Sequence, residues 1–350
     1  MTMSVMLTTT PLAQPGPYDE ALERYHRTGP EFDGYLSNHG PMVVEALARL
    51  GHGEQIHAWS DDYLSRLDEV PRSVSAIAAD DWREALGDAH RSADWITFFR
   101  DRAREQSWEG LLATWWPRLL PGIAAGATHG VIRVGHAVRA LRAADTEPRR
   151  AELSHALAYG AARWQPVPLV RATGSYDVAS TLARIPRVAT QELGIRHRLA
   201  QLPTTTDWQP TLRSLAGPAR PEDVPAALVR LISGVLARYA THAHGNPTMM
   251  VHAATAPMAV LNSLPSLPTP LWHPSFDAAW TATGAVLAAY APAEARPAPV
   301  ASSAADTLDQ ALRHGGEHVV KLTDTALRIH DLTGPEHALA AAGVAIRLDA

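Results

Sequence analysis

The chain has no cysteine. That excludes disulfides, a thiolate nucleophile, and zinc or iron–sulfur sites built on thiolates, and it suits the cytoplasm. Lysine is nearly absent as well: of 31 lysines and arginines, Lys321 alone is lysine. Charge of one sign is not in excess. A net charge of −5 gives no general attraction to nucleic acid or to an anionic membrane, so neither is expected as a partner. Long apolar runs are missing: no stretch approaches the ~18 uncharged apolar residues of a membrane span, and the best, AALVRLISGVLARYA, carries Arg230 and Arg238. The N-terminal MTMSVMLTTTPLAQPGP has no basic residue and no adequate apolar run, which argues against a signal peptide; residues 1–16 read as a disordered leader. Strand-like alternation is scarce, the nearest case being VPLVRAT at 167–173, which reads as loop or helix. No repeat of fixed period is present.

What is there reads as helix. Hydrophobic residues make up 46% and charged residues 19%, enough for a substantial core. VVEALARLG, WITFFRDRARE, AALVRLISGVLARYA and DTLDQALRHG place apolar residues at spacings of three and four. Start signals agree: Asp80 or Asp81 before WREAL, Glu147-Pro148 before RRAELSHALAYGAARW, Asn246-Pro247 before TMMVHAATAP. Prolines between these segments punctuate helices. APAEARPAPVASSAAD (291–306) reads as a surface loop or linker within one body. The expectation is an all-α protein, a single large multi-helical domain over residues 17–350.

Seventeen histidines are present, several inside apolar helical segments where a solvated residue is out of place. His129 and His136 stand seven apart in GATHGVIRVGHAVRAL and share a helix face, with Gly126 and Gly130 permitting close approach of another element. His252 falls mid-helix in TMMVHAATAPM, where Pro257 deprives the Ala253 carbonyl of its helical partner and predicts a local bend. His39 precedes a helix opened by Pro41, whose positive dipole end favours the neutral, metal-binding ring. His318 and Lys321 are three apart on one helix face. For any one of these, a hydrogen-bonded core histidine is the ordinary explanation; five together in apolar settings weaken it. Arginine serves wherever a solvated positive charge is wanted, but only lysine offers a deprotonable amine. As a neutral amine Lys321 has three options: a Schiff base, a general base, or reaction with carbon dioxide to a carbamate, a long carboxylate able to ligate metal beside histidines.

FDGYLSNHGPMVVEALARLG, THGVIRVGHAVRAL, HAATAPMAVLNSLPSLP and EHVVKLTDTAL resemble the four blocks of the questin oxidase-like proteins, from about residue 17 to about 330. That family is associated with oxidative opening of polycyclic aromatic rings, anthraquinone-type substrates in particular, in polyketide pathways. The resemblance implies an all-helical fold and an oxygenase holding mononuclear non-haem Fe(II), with O2 as co-substrate, through histidines and a carboxylated lysine. Carried over position by position, it gives Lys321, His39, His252, His129, His318 and His136 as metal ligands, with Lys321, His39 and His252 foremost in catalysis. These exceed what one iron needs beside an open oxygen site. His155, His242, His244, His314 and His330 match no block.

Trp108, Trp115, Trp116 and Met249 are candidates for the flat walls of a pocket for the polycyclic substrate, although ordinary core is the commoner role of such residues. Arg133 and Arg139 offer charges for phenolate oxygens, or ordinary ion pairs. The alternatives are an NADPH-assisted Baeyer–Villiger-type oxidase, a hydrolase with two zincs bridged by a carboxylated lysine, and a non-enzymatic helical ligand-binding protein. GHGEQ at 51–55 lacks the third glycine and the preceding strand of a dinucleotide fingerprint, so NADPH would serve only as an external reductant. The HAH at 242–244 superficially matches the paired histidines of the zinc hydrolases, which stand on a barrel strand. Oligomeric state is not legible.

Overall fold

Apolar residues every three or four positions coil into helices in the computed structural model, which describes residues 11–349. In chain order, α1 (Pro17–Tyr25) leads to an antiparallel hairpin of β1 (Glu31–Phe32) and β2 (Leu36–Ser37), then α2 (Gly40–Arg49) and α3 (Ile56–Leu64). Four longer helices follow: α4 (Ser92–Glu105), α5 (Trp108–Leu119), α6 (His129–Ala143) and α7 (Glu147–Ala162). Three short ones, α8 (Val178–Leu182), α9 (Ile195–Leu199) and α10 (Trp208–Arg213), interrupt long loops. Then come α11 (Val224–His242), α12 (Pro247–Ser263) and α13 (Trp272–Tyr290), and finally α14 (Ala304–His314), α15 (Glu317–Thr333) and α16 (Glu336–Leu348). The protein is all-α, as expected. The hairpin is the only sheet among the described residues, so neither a doubly wound nucleotide-binding unit nor a β/α-barrel is built from them.

α12 and α13 are buried on every face from Met250 to Ser263 and from Ala278 to Tyr290, which makes them the centre of the fold. α6 crosses α12 where Gly135 meets Ala259; a Cβ at Gly135 would stand 2.5 Å from Ala259 Cα. Gly130 meets Gly160 of α7 in the same way, the close approach its sequence position predicts. α2 and α15 pack against α6 and α12 from the other side, so four helices converge. Met42, Ile132, Ala256 and Ala259 form a small apolar floor among three of them.

Several sequence expectations change in detail. Residues 1–10 of the expected leader lie outside the described residues. Of residues 11–16, Leu12 is buried and its carbonyl accepts from the fully buried Arg149 at 2.7 Å, while Ala13, Gln14 and Pro15 are exposed. WREAL forms only a 3-10 turn, Trp82–Ala85, because Gly87 turns the chain with φ +76°. The 291–306 stretch is loop to Ser303, whose side chain caps α14. Pro257 does not end α12; Thr283 Oγ1 of α13 donates to the freed Ala253 carbonyl at 3.0 Å. Among the described residues one helical stretch, 221–245, is long and apolar enough by composition to cross a membrane despite its arginines, but half of its most apolar window is buried within the fold.

Candidate metal centre

Four histidines from four helices meet where α2, α6, α12 and α15 converge, and each arrives by a local device. His39 caps the N-terminus of α2: its N–H donates to Tyr63 OH at 2.8 Å, while Asn38 Oδ1 accepts from Gly40 N–H at 2.9 Å. The hairpin before it, turning at Asp33 and Gly34 with positive φ, sets the direction of entry. His129 opens α6 after three successive left-handed residues, Gly126, Ala127 and Thr128. Two of these carry side chains, at a cost of roughly 1–3 kcal/mol each. The turn brings the Gly126 carbonyl to 2.6 Å from His129 Nδ1. In α12, His252 Nδ1 lies 3.0 Å from the Met249 carbonyl. A carbonyl only accepts, so both rings hold their proton on Nδ1 and turn an unprotonated Nε2 inward.

Those inward atoms crowd. His129 Nε2 stands 2.7 Å from His39 Nε2 and 3.1 Å from His252 Nε2. A ring nitrogen of His318 joins, so ligand atoms of His39, His129 and His318 all lie within 4.8 Å of one another. His318 Nε2 itself has no partner. Lone pairs face lone pairs, an arrangement that calls for a shared proton or a cation. Two nitrogens each about 2.1 Å from one ion, at right angles, stand about 3 Å apart, so the spacing suits a metal.

Lys321, one helical turn after His318, is 1% exposed and its Nζ has no hydrogen-bond partner. Burial pulls its pKa down to about 7, against the opposing pull of Glu317 and Asp349. The amine is therefore substantially neutral near pH 7, as a nucleophile toward carbon dioxide must be. Burial, with the charge of Lys321 next, also depresses His39, His252 and His318; His252 falls to about 3. His129 is lowered by burial, then by His252 and His39. Burial is the leading cause at His39, where the sequence pointed to the helix dipole.

His136 does not join the cage. Two turns beyond His129, its Nδ1 lies 2.7 Å from Glu45 Oε2. Glu45 also binds Arg139, which reaches Asp324 at 3.0 Å, and Asp324 pairs with Arg49. Burial alone would raise the Glu45 carboxyl, but Arg139 and His136 hold it below the usual range. The network ties α2, α6 and α15 together one layer behind the cage. Arg133 is similarly committed, gripping Glu152 with two bonds of 2.5 and 2.8 Å. Neither arginine is free for a phenolate.

The candidate wall residues Trp108, Trp115 and Trp116 are buried in the core. Trp115 is packed edge-on against Trp82, Trp95, Phe98 and Phe99 in the core, and Trp108 is buried in the same cluster. Trp116 donates to Ser275 Oγ at 2.8 Å and lines an apolar cavity of about 40 Å³ beside Gly130, too small for a polycycle. Met249 serves through its carbonyl. His242 of the HAH pair sits at the end of α11, its Nδ1 2.6 Å from Thr241 Oγ1. No sequence signal pointed to Tyr63, nor to Glu317, whose Oε1 lies 3.4 Å from His39 Nδ1; adjacency to His318 is the only hint of the latter.

A family model described as questin oxidase-like matches residues 36–144, under a third of the chain. The match supports the family read from the sequence, and the name points to an oxidase. It spans His39, His129 and His136; His252, His318 and Lys321 lie beyond it and reach the same point through the fold. No curated protein matches the chain.

Proposed function

With residues 36–144 questin oxidase-like, we propose that the protein is a cytoplasmic, non-haem iron-dependent oxygenase that oxidises or cleaves a ring of a polycyclic aromatic, anthraquinone-type polyketide with O2. The observation that carries this reading is the cage: inward Nε2 atoms fixed by backbone carbonyls at Nδ1, beside a buried amine without a partner. His39, His129, His252 and His318 would hold the iron, and Lys321, carboxylated, would complete the set; His136 is left out of it. Bound ferrous iron would supply the means of activating oxygen for attack on an electron-rich ring.

The chain's own part is to keep the rings oriented, neutral and dry. The carbonyls of Gly126 and Met249 fix two tautomers, and the Glu45–Arg139–Asp324 network locks three of the contributing helices. Arg66 and Glu317, partly exposed beside His39, mark the side from which a substrate would approach. An NADPH requirement, as in the Baeyer–Villiger alternative, would fall to a reductant in solution.

The test is elemental analysis of untagged protein beside Lys321→Ala and Lys321→Arg variants, followed by reconstitution with ferrous iron and a panel of anthraquinones. One iron per chain, lost in both variants, and O2-dependent product support the reading. Two zincs would favour the hydrolase, and a protein that takes up no metal would sink both.

A further inference from the structure

His39 is held differently from the other anchored rings of the cage. His129 and His252 are each fixed at Nδ1 by a backbone carbonyl. His39 Nδ1 is buried, makes no well-formed hydrogen bond, and faces a side chain, Glu317 Oε1 at 3.4 Å. A glutamate in the first turn of a helix is unremarkable when it faces solvent, since the helix dipole favours it there. Glu317 turns inward instead, its side chain only 17% exposed.

Its surroundings are built to keep it there. Arg66 Nη2 lies 3.7 Å from the same Oε1. The Arg66 guanidinium is seated over the rings of Phe32 and Tyr63, at 4.8 and 5.2 Å from their centroids. Tyr63 OH in turn accepts the His39 N–H. The contacts thus close a loop around one imidazole, from Tyr63 to His39 to Glu317 to Arg66 and back. Lys321 is four residues beyond Glu317, yet its Nζ has no partner, so the carboxylate is not spent on the amine.

We propose that Glu317 is a positioning residue whose carboxylate accepts the Nδ1–H of His39, fixing the tautomer that presents a bare Nε2 to the cage, with Arg66 holding the carboxylate in place. A carboxylate behind an imidazole orients the ring and raises its basicity, and losing such a partner typically weakens metal binding about 10–100-fold. That consequence rests on the metal-centre reading; the tautomer does not, being set by whether Glu317 at Nδ1 or His129 Nε2, 2.7 Å from His39 Nε2, takes the single proton of the ring.

The experiment is imidazole 15N NMR on the full-length, metal-free protein and its Glu317→Gln and Glu317→Ala variants, with folding checked by circular dichroism. Glutamine keeps an acceptor at the same reach without the charge; alanine removes it. Expected are a protonated Nδ1 on His39 in the wild type and in the Gln variant, and a mixture of tautomers in the Ala variant. Titration with Co(II) then reads affinity, with a fall of about 10-fold for Gln and about 100-fold for Ala. A wild-type His39 protonated on Nε2, or a folded Ala variant with unchanged tautomer, overturns the proposal. So does an Ala variant that binds Co(II) as tightly as the wild type. If no form binds Co(II) while the tautomer shifts as expected, the metal-centre reading fails and the role of Glu317 stands.

Discussion

Nε2 of His129 lies 3.1 Å from Nε2 of His252, a residue 123 positions away, and the Nδ1 of each ring faces a carbonyl. Two acceptors are thus held face to face by their own backbones. Replacing His252 with Asn shortens one arm and removes that nitrogen from the group. The expected outcome is a loss of Co(II) affinity of at least about 10-fold, read by calorimetry, with the helical circular dichroism unchanged; comparable affinity would remove His252 from the cage.

Lys321 Nζ is buried without a partner, a cost to stability of about 1–3 kcal/mol. Lys321→Met keeps the length and removes the unsatisfied amine. In urea denaturation, the metal-free variant should be more stable than the wild type by about that amount, while metal uptake is lost. A less stable variant would mean that Nζ finds a partner in solution.

The same lysine sets a pH dependence. Its pKa falls from 10.5 in the unfolded chain to about 7 in the fold, so between these values the unfolded state binds the extra proton. Stability of the metal-free protein therefore rises with pH from 7 to about 9.5, before tyrosine ionisation intervenes. The depressed histidines act in the same direction at lower pH, with His252 contributing from about 3 up to 6.5. Urea midpoints measured across pH 7–9.5 should climb in the wild type and stay flat in Lys321→Met.

Asp324 is buried between Arg139 and Arg49, which hold its carboxyl well below the usual range against burial. Asp324→Asn leaves two guanidinium groups short of a counter-charge, and breaking a buried pair costs about 3–5 kcal/mol. The variant should unfold at correspondingly lower urea, and a shift under 1 kcal/mol would show the network to be loosely coupled.

Two glycines predict opposite signs. A Cβ at Gly135 would stand 2.5 Å from Ala259 Cα, so Gly135→Ala must part α6 from α12 and cost about 1–3 kcal/mol. A Cβ at Gly160 meets its nearest atoms at 3.8 and 3.9 Å, so Gly160→Ala should stabilise α7 by about 0.5–1 kcal/mol. Thermal melts of the two variants check both.

The helices and the oddity of Lys321 were legible because periodicity, caps and rarity are local properties of a sequence. The His318–Lys321 pairing was legible too, since three residues on a helix is one turn. His39, His129 and His252 could be named as candidates, but nothing local said that they converge while His136 does not. His136 shares a helix with His129, yet it faces Glu45 on α2, and only the crossing of α2 over α6 decides that. The tryptophans could not be assigned from the sequence for a related reason: a flat apolar ring has the same sequence signature lining a pocket as filling a core.

The sequence by itself determined an all-helical chain, without thiols, with one deprotonable amine, Lys321, one helical turn after His318. Only the tertiary structure decided which nitrogens meet, because a ring's partner is set by helix crossings and by carbonyls such as those of Gly126 and Met249, whose directions depend on backbone turns. It also supplied Glu317, Tyr63 and Arg66, whose meaning lies wholly in what they face.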